Sequence, residues 1–572
     1  MRITNLEILN FRGIQKASIA FPLDTRIICI IGAGDTTKST LLKAIEWAFW
    51  PSWNLTAFDT DFHHSDTSTP IIIRATVTNV PERFISEDKY GFYMRRPGID
   101  YSEDIDDEPK DDQPQCLTIQ LTINRSLEPK WEVVCNRQEP KHISPTDRKL
   151  LAVGVVGDNC AKDLVWGKYS VLQRYADAKE TLRDAYISSL RNVVKNTDLS
   201  ALNEISVTLA SVGKKYGVNF ENAPTSRLLF QGSSFSTTVG LFDGDSPLNQ
   251  LGNGSQRLLS MGLNIGVTPN GALLIVDEIE SGLEPYRLRS LINELRSMQN
   301  GADQVILTTH SPVVVAECSS SELMVAHSAN GETRTVSPKS DDKNVDGIIQ
   351  RHIRANSEAL LSKKIIVCEG KTEIGFLKAY DNFLSRAEKF RMAYEGIGIA
   401  DGQGENLFEC AKVFHDCGYE TCVLMDSDVD TEETKKEQLK ELGIPVFDWD
   451  KPNAIEEEIF SALPISALNL AINTIIENKG LESMKSILTS NSINYTERDG
   501  SIFFPEAMTQ IQKQMLGGVA KNKAWFKRIG LGIELGNIVF DNWDTIDSSS
   551  ALKRVIKDLS EWMQKNDRAG TE

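Results

Sequence analysis

Two sets of residues in this 572-residue chain have the types and spacing for phosphate chemistry. The first is Gly32-Ala33-Gly34-Asp35-Thr36-Thr37-Lys38-Ser39-Thr40, which follows the apolar run Thr25–Ile31 and opens the amphipathic run Ser39–Phe49. A glycine-rich turn between strand and helix presents backbone N–H groups and the positive helix end to phosphates. Lys38 would neutralise them and Ser39 would ligate Mg²⁺. Thr37 stands where a glycine usually precedes the lysine, so its Cβ is expected to crowd the phosphate, and Asp35 adds negative charge nearby. An ordinary strand–helix turn is the other reading of this loop taken alone. The second set is carboxylic. Glu369 ends the apolar run starting at Lys364, Glu373 follows one turn later, and Asp426 and Asp428 close the run Thr421–Met425. If those two strands lie side by side and parallel, four carboxylates converge at one sheet edge. Their mutual repulsion is naturally resolved by divalent metal. Two ions about 3.5–4 Å apart would clamp the attacking and leaving oxygens of a phosphodiester.

Further residues extend both sets. The apolar strand Leu273–Val276 ends in Asp277-Glu278, where Asp277 would hold Mg²⁺ through water and Glu278 would orient or deprotonate the attacking water. Strand Val305–Thr308 leads to His310, placed to sense a γ-phosphate. Leu251-Gly252-Asn253-Gly254-Ser255-Gln256-Arg257 is glycine-rich and opens a helix, and Ser281-Gly282-Leu283 follows the acidic pair. Each piece has a plain alternative: Asp-Glu after a strand commonly caps a helix, and His310 suits a core. Five such pieces in order over one span argue for a nucleotide site. On the carboxylate side, Gly396–Asn406 is a glycine-rich turn that either holds phosphate, shapes the metal site or merely turns. Asn453-Ala454-Ile455-Glu456 reads as a helix capping box, yet Glu456 also stands where a further metal ligand could be supplied. Lys521–Arg528 mixes lysines with Trp525 and Phe526. It reads as a DNA patch that stacks and neutralises, as the source of a lysine that stabilises the transition state, or as a solvated helix face.

The elements that must position these groups fall into two halves. Residues 1–355 read as strands, a phosphate-type loop, an antiparallel lobe (70–79, 116–124, 131–135), an amphipathic helical insert at about 170–215, and then strand–helix alternation. Residues 356–572 begin a new α/β alternation with a helical extension behind it. The length suggests two to four domains, and 41% hydrophobic with 25% charged residues is ordinary globular composition. A net charge of −18 argues against coating nucleic acid by bulk charge, though not against a local groove. Part of that charge sits in Glu103–Asp112, read as an exposed loop. The start of the chain lacks a signal-peptide core, no run is long enough for a membrane span, and nine cysteines without CxxC pairing suggest reduced thiols; together these give a cytoplasmic expectation.

The first half resembles the RecF/SMC branch of ABC ATPases. Its phosphate loop, Asp277-Glu278 (the Walker B position), His310 and the ABC-signature form at Leu251–Arg257 carry the likeness. Asn10-Phe11-Arg12-Gly13-Ile14 matches the opening strand of that branch. The resemblance implies that Arg12, Gly32, Gly34, Lys38, Ser39, Thr40, Asp277 and His310 bind ATP with Mg²⁺. It also implies that Gly254 and Ser255 cap the ATP of a second subunit. In the second half, Glu-Gly-x-x-Glu followed about 55 residues later by Asp-x-Asp is the Toprim signature. ATPase then Toprim in one chain resembles the OLD (overcoming lysogenization defect) nucleases, relatives of Gabija-type nucleases. This implies an α/β chain: an ABC/SMC-type ATPase domain with a helical dimerisation insert, followed by a Rossmann-like Toprim domain. The likeness also implies Mg²⁺- or Mn²⁺-dependent cleavage of DNA, homodimers or homotetramers, and a role in defence against phage. Glu369, Glu373, Asp426, Asp428 and Glu456 map to metal ligands and Lys527 to the catalytic lysine, with Lys523 as the other choice. The variant loop and the length resemble effectors that act beside a retron reverse transcriptase and its RNA–DNA hybrid. A hydroxyl residue is common in the family two places before the later glutamate, and here it is Ala454. An ATP-dependent DNA clamp with a structural Toprim half is the competing function. A topoisomerase or primase is disfavoured by the lack of a tyrosine-bearing cleavage domain or zinc-binding cysteines.

Overall fold

The computed structural model describes residues 1–96, 114–151, 153–157, 160–166, 171–172, 199, 202–230, 237–267, 272–297, 302–387, 390–427 and 433–565. Asp428, the Glu103–Asp112 run and most of the insert expected at 170–215 lie outside them; the described part of that insert, Asn203–Lys215, is helical. The chain forms two compact units, Met1–Asp341 and Asp342–Glu572. The division falls before the helix Lys343–Ala355 rather than after residue 355, because that helix packs on Leu407–Asp416 of the second unit.

In the first unit twelve of the described strands build one mixed sheet, and Pro224–Phe230, Thr237–Asp243 and Ser246–Pro247 form a separate three-stranded antiparallel sheet. One side is an antiparallel run through Arg2–Phe11, Ile71–Thr78, Cys116–Ile123 and Pro129–Val134. The other side is parallel, with Ile27–Ile31 between Leu323–Ala329 and Ala302–Thr308, then Ala272–Val276 and Val153–Val156. The sequence Ile-Ile-Cys-Ile-Ile is buried at every position, as a strand covered on both faces must be. Its carboxyl end delivers Gly32, the adjacent strand delivers Thr308 and the next one Asp277 to the same edge. The core on this side joins the Ile28 and Ile30 side chains to Leu41, Leu42 and Ile45 of the helix Lys38–Ala48.

The second unit is built on a four-stranded parallel sheet in the order Ile397–Asp401, Lys364–Cys368, Glu420–Met425, Val446–Asp448. Lys364–Cys368 and Glu420–Met425 are adjacent and parallel, with Cys368 opposite Leu424, so the side-by-side arrangement expected from sequence is present. Helices Ile455–Ala462, Ile465–Lys479, Gln510–Asn522, Ile529–Asp541 and Ala551–Gln564 close a core that includes Phe460, Leu516, Phe526 and Leu535. Helix Lys371–Ala387 crosses Ile529–Asp541 through glycine. A Cβ on Gly375 would lie 2.5 Å from the Ile529 carbonyl, and one on Gly532 would lie 2.8 Å from the Thr372 carbonyl. Backbone-on-backbone contact there fixes how near Glu373, on the first helix, stands to Lys527, just before the second.

Candidate functional site

In the first unit, Gly32 sits at φ +141°, and a Cβ there would press to 2.5 Å on the Ala326 carbonyl, so the turn needs glycine. Lys38 is buried, and its Nζ donates to the carbonyls of Gly32 (3.0 Å) and Ala33 (2.6 Å) and to Thr36 Oγ1 (3.2 Å). Burial lowers its pKa, opposed by the charges of Asp35 and Asp277. Ser39 Oγ donates to Asp277 Oδ1 at 3.0 Å, so the two Mg²⁺-binding candidates meet. Thr308 Oγ1 donates to the same Asp277 oxygen (2.6 Å) and accepts from the Glu278 N–H (2.8 Å). Glu278 adopts φ 47°, a costly conformation for a residue with Cβ, held by that hydrogen bond and turned out beside Ser281 Oγ (3.2 Å).

Thr37 is held in place by its hydroxyl. It is left-handed (φ 63°), but its Oγ1 bonds the Thr36 carbonyl (2.7 Å) and Thr333 Oγ1 (2.8 Å). The side chain is thereby anchored to the strand Glu332–Val336, and its methyl borders Gly13. Asp35 is exposed, as are Gly34 and Ser39, while Thr40 is half-buried. Arg12 Nε pairs with Asp61 Oδ1 (2.9 Å), and its guanidinium lies 5.6 Å from the Trp47 ring centre on the helix that follows the loop. His310 is exposed rather than in the core, and its N–H donates to Glu280 Oε1 (2.5 Å), whose other oxygen accepts from Thr309 (2.6 Å). Gly254 packs so tightly on the Gly282 carbonyl that no Cβ would fit, and Ser255 follows it half-buried. The buried Arg257 ties that helix to the carbonyls of Gly157 and Asp277. Thr308, Glu280 and Arg257 were not singled out in the sequence. The hydroxyl three residues after Val305, on the strand ending next to Asp277, was the available signal.

In the second unit, Glu369, Glu373, Asp426 and Glu456 come together from the strand ends of Lys364–Cys368 and Glu420–Met425 and from two helix starts. Glu369 Oε2 accepts from the Asp426 N–H (2.9 Å), Glu373 Oε2 from the Gly370 N–H (2.9 Å), and Asp426 Oδ1 from the Ile455 N–H (2.9 Å). Burial pushes Glu373 up to about 8, with the charges of Glu456 and Glu369 adding to it. Burial also raises Asp426 well above the carboxylate range, helped by Glu373, Glu369 and Glu456. Glu456 is raised by burial and drawn back by its own backbone N–H and by the charge of Lys527. Among the described residues no group of three or more His, Cys, Asp or Glu side chains is arranged to ligate one ion. The donor set nevertheless suits a hard cation. It offers only carboxylate oxygens, three of the four carboxylates are oriented by backbone N–H groups through one oxygen, and buried like charges need a positive partner.

The capping box and the Lys521–Arg528 segment differ from their sequence readings. The capping glutamate is Glu457, whose Oε2 accepts from the Ala454 N–H (2.8 Å), so the box lies one residue further on and Glu456 is left to the cluster. Thr372 Oγ1 stands 3.4 Å from Glu456 Oε1, which supplies from another element a hydroxyl that Ala454 cannot. The turn after Asp401 ties back onto the site, since Gly402 N–H donates to the Cys368 carbonyl (2.7 Å) and Gly404 N–H to that of Glu369 (2.8 Å). Lys521–Arg528 is not a helix face: it runs from the end of Gln510–Asn522 through a turn into Ile529–Asp541. Trp525 and Phe526 are both 0% exposed, Phe526 against Phe460, so they cannot stack on bases. Lys523 and Lys527 are exposed, and of this segment Lys527 and, more weakly, Lys521 act electrostatically on Glu456.

A mixed sheet with a phosphate-type loop, an Asp-Glu strand and a glycine-opened helix has the parts of an ATPase unit. The parallel sheet with carboxylates at its edge defines a Toprim unit. Comparison with known proteins gives the same pair. Residues 170–316 match the family described as "AAA domain, putative AbiEii toxin, Type IV TA system", and residues 360–428 match "Overcoming lysogenization defect protein-like, TOPRIM domain". The Old nuclease of Escherichia phage P2 is 26% identical over 198 residues, 32% of this chain and 33% of that protein. The chain thus spans about a third of the length of the curated relative it matches. Among solved structures, an Smc head bound to the C-winged helix domain of ScpA covers 60% of this chain at 14% identity and a TM-score of 0.38, with 99% of its own length covered. The SMC head domain of Thermotoga maritima covers 59% at 14% identity and a TM-score of 0.29, with 100% of its own length covered. The chain thus carries an AAA-type match and an OLD-like TOPRIM match in tandem.

Proposed function

We propose that this chain is an ATP-regulated, divalent-metal-dependent DNA endonuclease that nicks or cleaves at the carboxylate edge of the second unit. The observation that carries the reading is the convergence of Glu369, Glu373, Asp426 and Glu456, with Glu373 and Glu456 buried and Lys527 acting on Glu456. Those four carboxylates, with Asp428, would hold Mg²⁺ or Mn²⁺, each swinging an oxygen inward from the arrangement described. The ions would activate water and neutralise charge on the scissile phosphate. Lys527 stabilises the charge that builds on that phosphate. Thr372 orients Glu456, and the Gly402–Gly404 turn braces the strand end that carries Glu369. A clamp with a merely structural Toprim half is the weaker reading, because four clustered carboxylates, two of them buried, destabilise a fold that has no cation to bind.

In the first unit, Lys38 would exchange the Gly32 and Ala33 carbonyls for ATP phosphates, Ser39 and Asp277 would hold its Mg²⁺, and Gly32, Gly34 and Thr40 would line the loop. Glu278 orients the attacking water, His310 meets the γ-phosphate and Arg12 approaches from the first strand. Gly254 and Ser255 act on the ATP of a second copy, giving a homodimer or homotetramer in which nucleotide governs access to DNA. A cytoplasmic role in phage defence, beside a retron reverse transcriptase and its RNA–DNA hybrid, is the finest form of the proposal; the Gly32–Ser39 variant and the chain length support it. Among the described residues no helix is long and apolar enough to cross a membrane. Supercoiled plasmid incubated with the pure chain, with or without Mg²⁺ or Mn²⁺ and with or without ATP, tests the reading. Metal-dependent conversion to nicked or linear DNA is expected; unaltered plasmid in every arm contradicts it.

A further inference from the structure

Behind the carboxylate cluster lies a polar triad that the proposed chemistry has not used. Lys436, on the helix Glu433–Glu441, is 1% exposed. Its Nζ donates to Asp448 Oδ2 at 2.7 Å and to Ser427 Oγ at 3.0 Å, and Ser427 Oγ donates to the same Asp448 oxygen at 2.9 Å. Ser427 directly follows Asp426. Its N–H donates to the Asn453 carbonyl (3.1 Å), in the loop that leads to Glu456. Asn453 is held in turn by Gln514, whose Nε2 donates to its Oδ1 (2.7 Å), and by donating to Glu458 Oε2 (3.0 Å).

An ammonium taken wholly out of water costs several kcal/mol unless it is paired and hydrogen-bonded. A core that needed only volume would place leucine or methionine there. The triad ties a helix to the carboxyl ends of two adjacent strands, since Met425 lies opposite Asp448 in the sheet. Its one hydroxyl belongs to the residue after a carboxylate of the cluster. We infer that Lys436 is a positioning residue for the metal site: through Ser427 and Asp448 it fixes the backbone on which Asp426 is presented. This rests on the nuclease reading of that site. Removing such an outer partner typically costs 10–100-fold in metal affinity or activity.

The test uses the full chain and measures Mn²⁺ affinity by calorimetry and the Mg²⁺ dependence of plasmid nicking. Lys436→Met is expected to weaken Mn²⁺ binding about tenfold or more. The Mg²⁺ needed for half-maximal nicking rises in step, and the rate largely recovers at saturating metal. A merely structural ion pair would lower the melting temperature without moving metal affinity, and an unchanged affinity overturns the inference. If Lys436→Met does not fold, Ser427→Ala removes only the hydroxyl and must show the same shift; an unshifted Ser427→Ala overturns the inference equally. Glu369→Ala separates the two claims. If it abolishes Mn²⁺ binding while Lys436→Met binds like the wild type, the metal site stands and the triad falls. If wild type and Glu369→Ala bind Mn²⁺ alike, the nuclease reading fails and takes the triad with it.

Discussion

Burial of Glu373 among Glu369, Asp426 and Glu456 stores electrostatic strain that a bound cation would relieve. The neutral isostere Glu373→Gln should therefore raise the metal-free melting temperature by a few degrees, about 1–2 kcal/mol. It should also abolish the rise in melting temperature that Mg²⁺ or Mn²⁺ gives the wild type. Calorimetry with and without metal checks both, and a variant that still gains from metal counts against Glu373 as a ligand. At the phosphate loop, Thr37 trades a left-handed backbone against its hydrogen bond to Thr333. The two effects are each about 1 kcal/mol and opposed, so Thr37→Gly should leave the melting temperature nearly unchanged. Wild-type ATP turnover should be slow. If anchoring rather than bulk restrains the loop, Thr37→Gly and Thr333→Val should raise turnover alike; fast turnover by the wild type contradicts this account. Residue types and spacing drew attention to Lys38, Asp277, Glu369, Glu373 and Asp426, because each stands at or within a few residues of the end of an apolar run. They could not decide among Glu456, Glu457 and Glu458, since one residue of helix frame settles which glutamate caps and which faces the cluster.

Strands that carry chemistry were legible as elements because both faces are covered and the sequence is continuously apolar, as in Ile27–Ile31 and Lys364–Cys368. Val153–Val156 was missed as a strand because four residues are too few to show a period. Trp525 and Phe526 misled for a different reason: flanking lysines make a surface pattern, while the turn after Asn522 directs both rings into the core. The glycines that set the crossing of Lys371–Ala387 with Ile529–Asp541 gave no sign of their role, since their partner lies more than a hundred residues away. That crossing is open to test. Gly532→Ala should force the helices apart at a cost of about 1–3 kcal/mol, seen as a lower melting temperature. It should also slow nicking by shifting Lys527 relative to the carboxylates. Gly530, whose Cβ would meet nothing within 4 Å, provides the control, and Gly530→Ala should change neither. Equal effects of the two variants would remove the crossing from the account.

At the scale of the whole molecule, the order of motifs along the chain carried the two-unit organisation, but the point of division did not follow from it. Lys343–Ala355 is strongly amphipathic and reads as the last helix of either half; only its packing on Leu407–Asp416 assigns it to the second. Assembly is likewise a matter of what a single chain leaves incomplete. Gly254 is packed on Gly282 of its own chain, and the proposal gives the loop it opens to a second copy's nucleotide. Light scattering with ATP and Mg²⁺ at micromolar concentration should therefore show a dimer or larger species, and a strict monomer counts heavily against that. The central claim is that the buried carboxylates are a DNA-cleaving metal site and not a relic of the fold. It is tested most directly by the nicking rate of supercoiled plasmid in Mg²⁺ or Mn²⁺ for the wild type and for Glu369→Ala/Asp426→Ala, with ATP binding measured on the same preparations. Loss of metal-dependent nicking with ATP binding retained is the expected result; nicking by the double variant at the wild-type rate would contradict it.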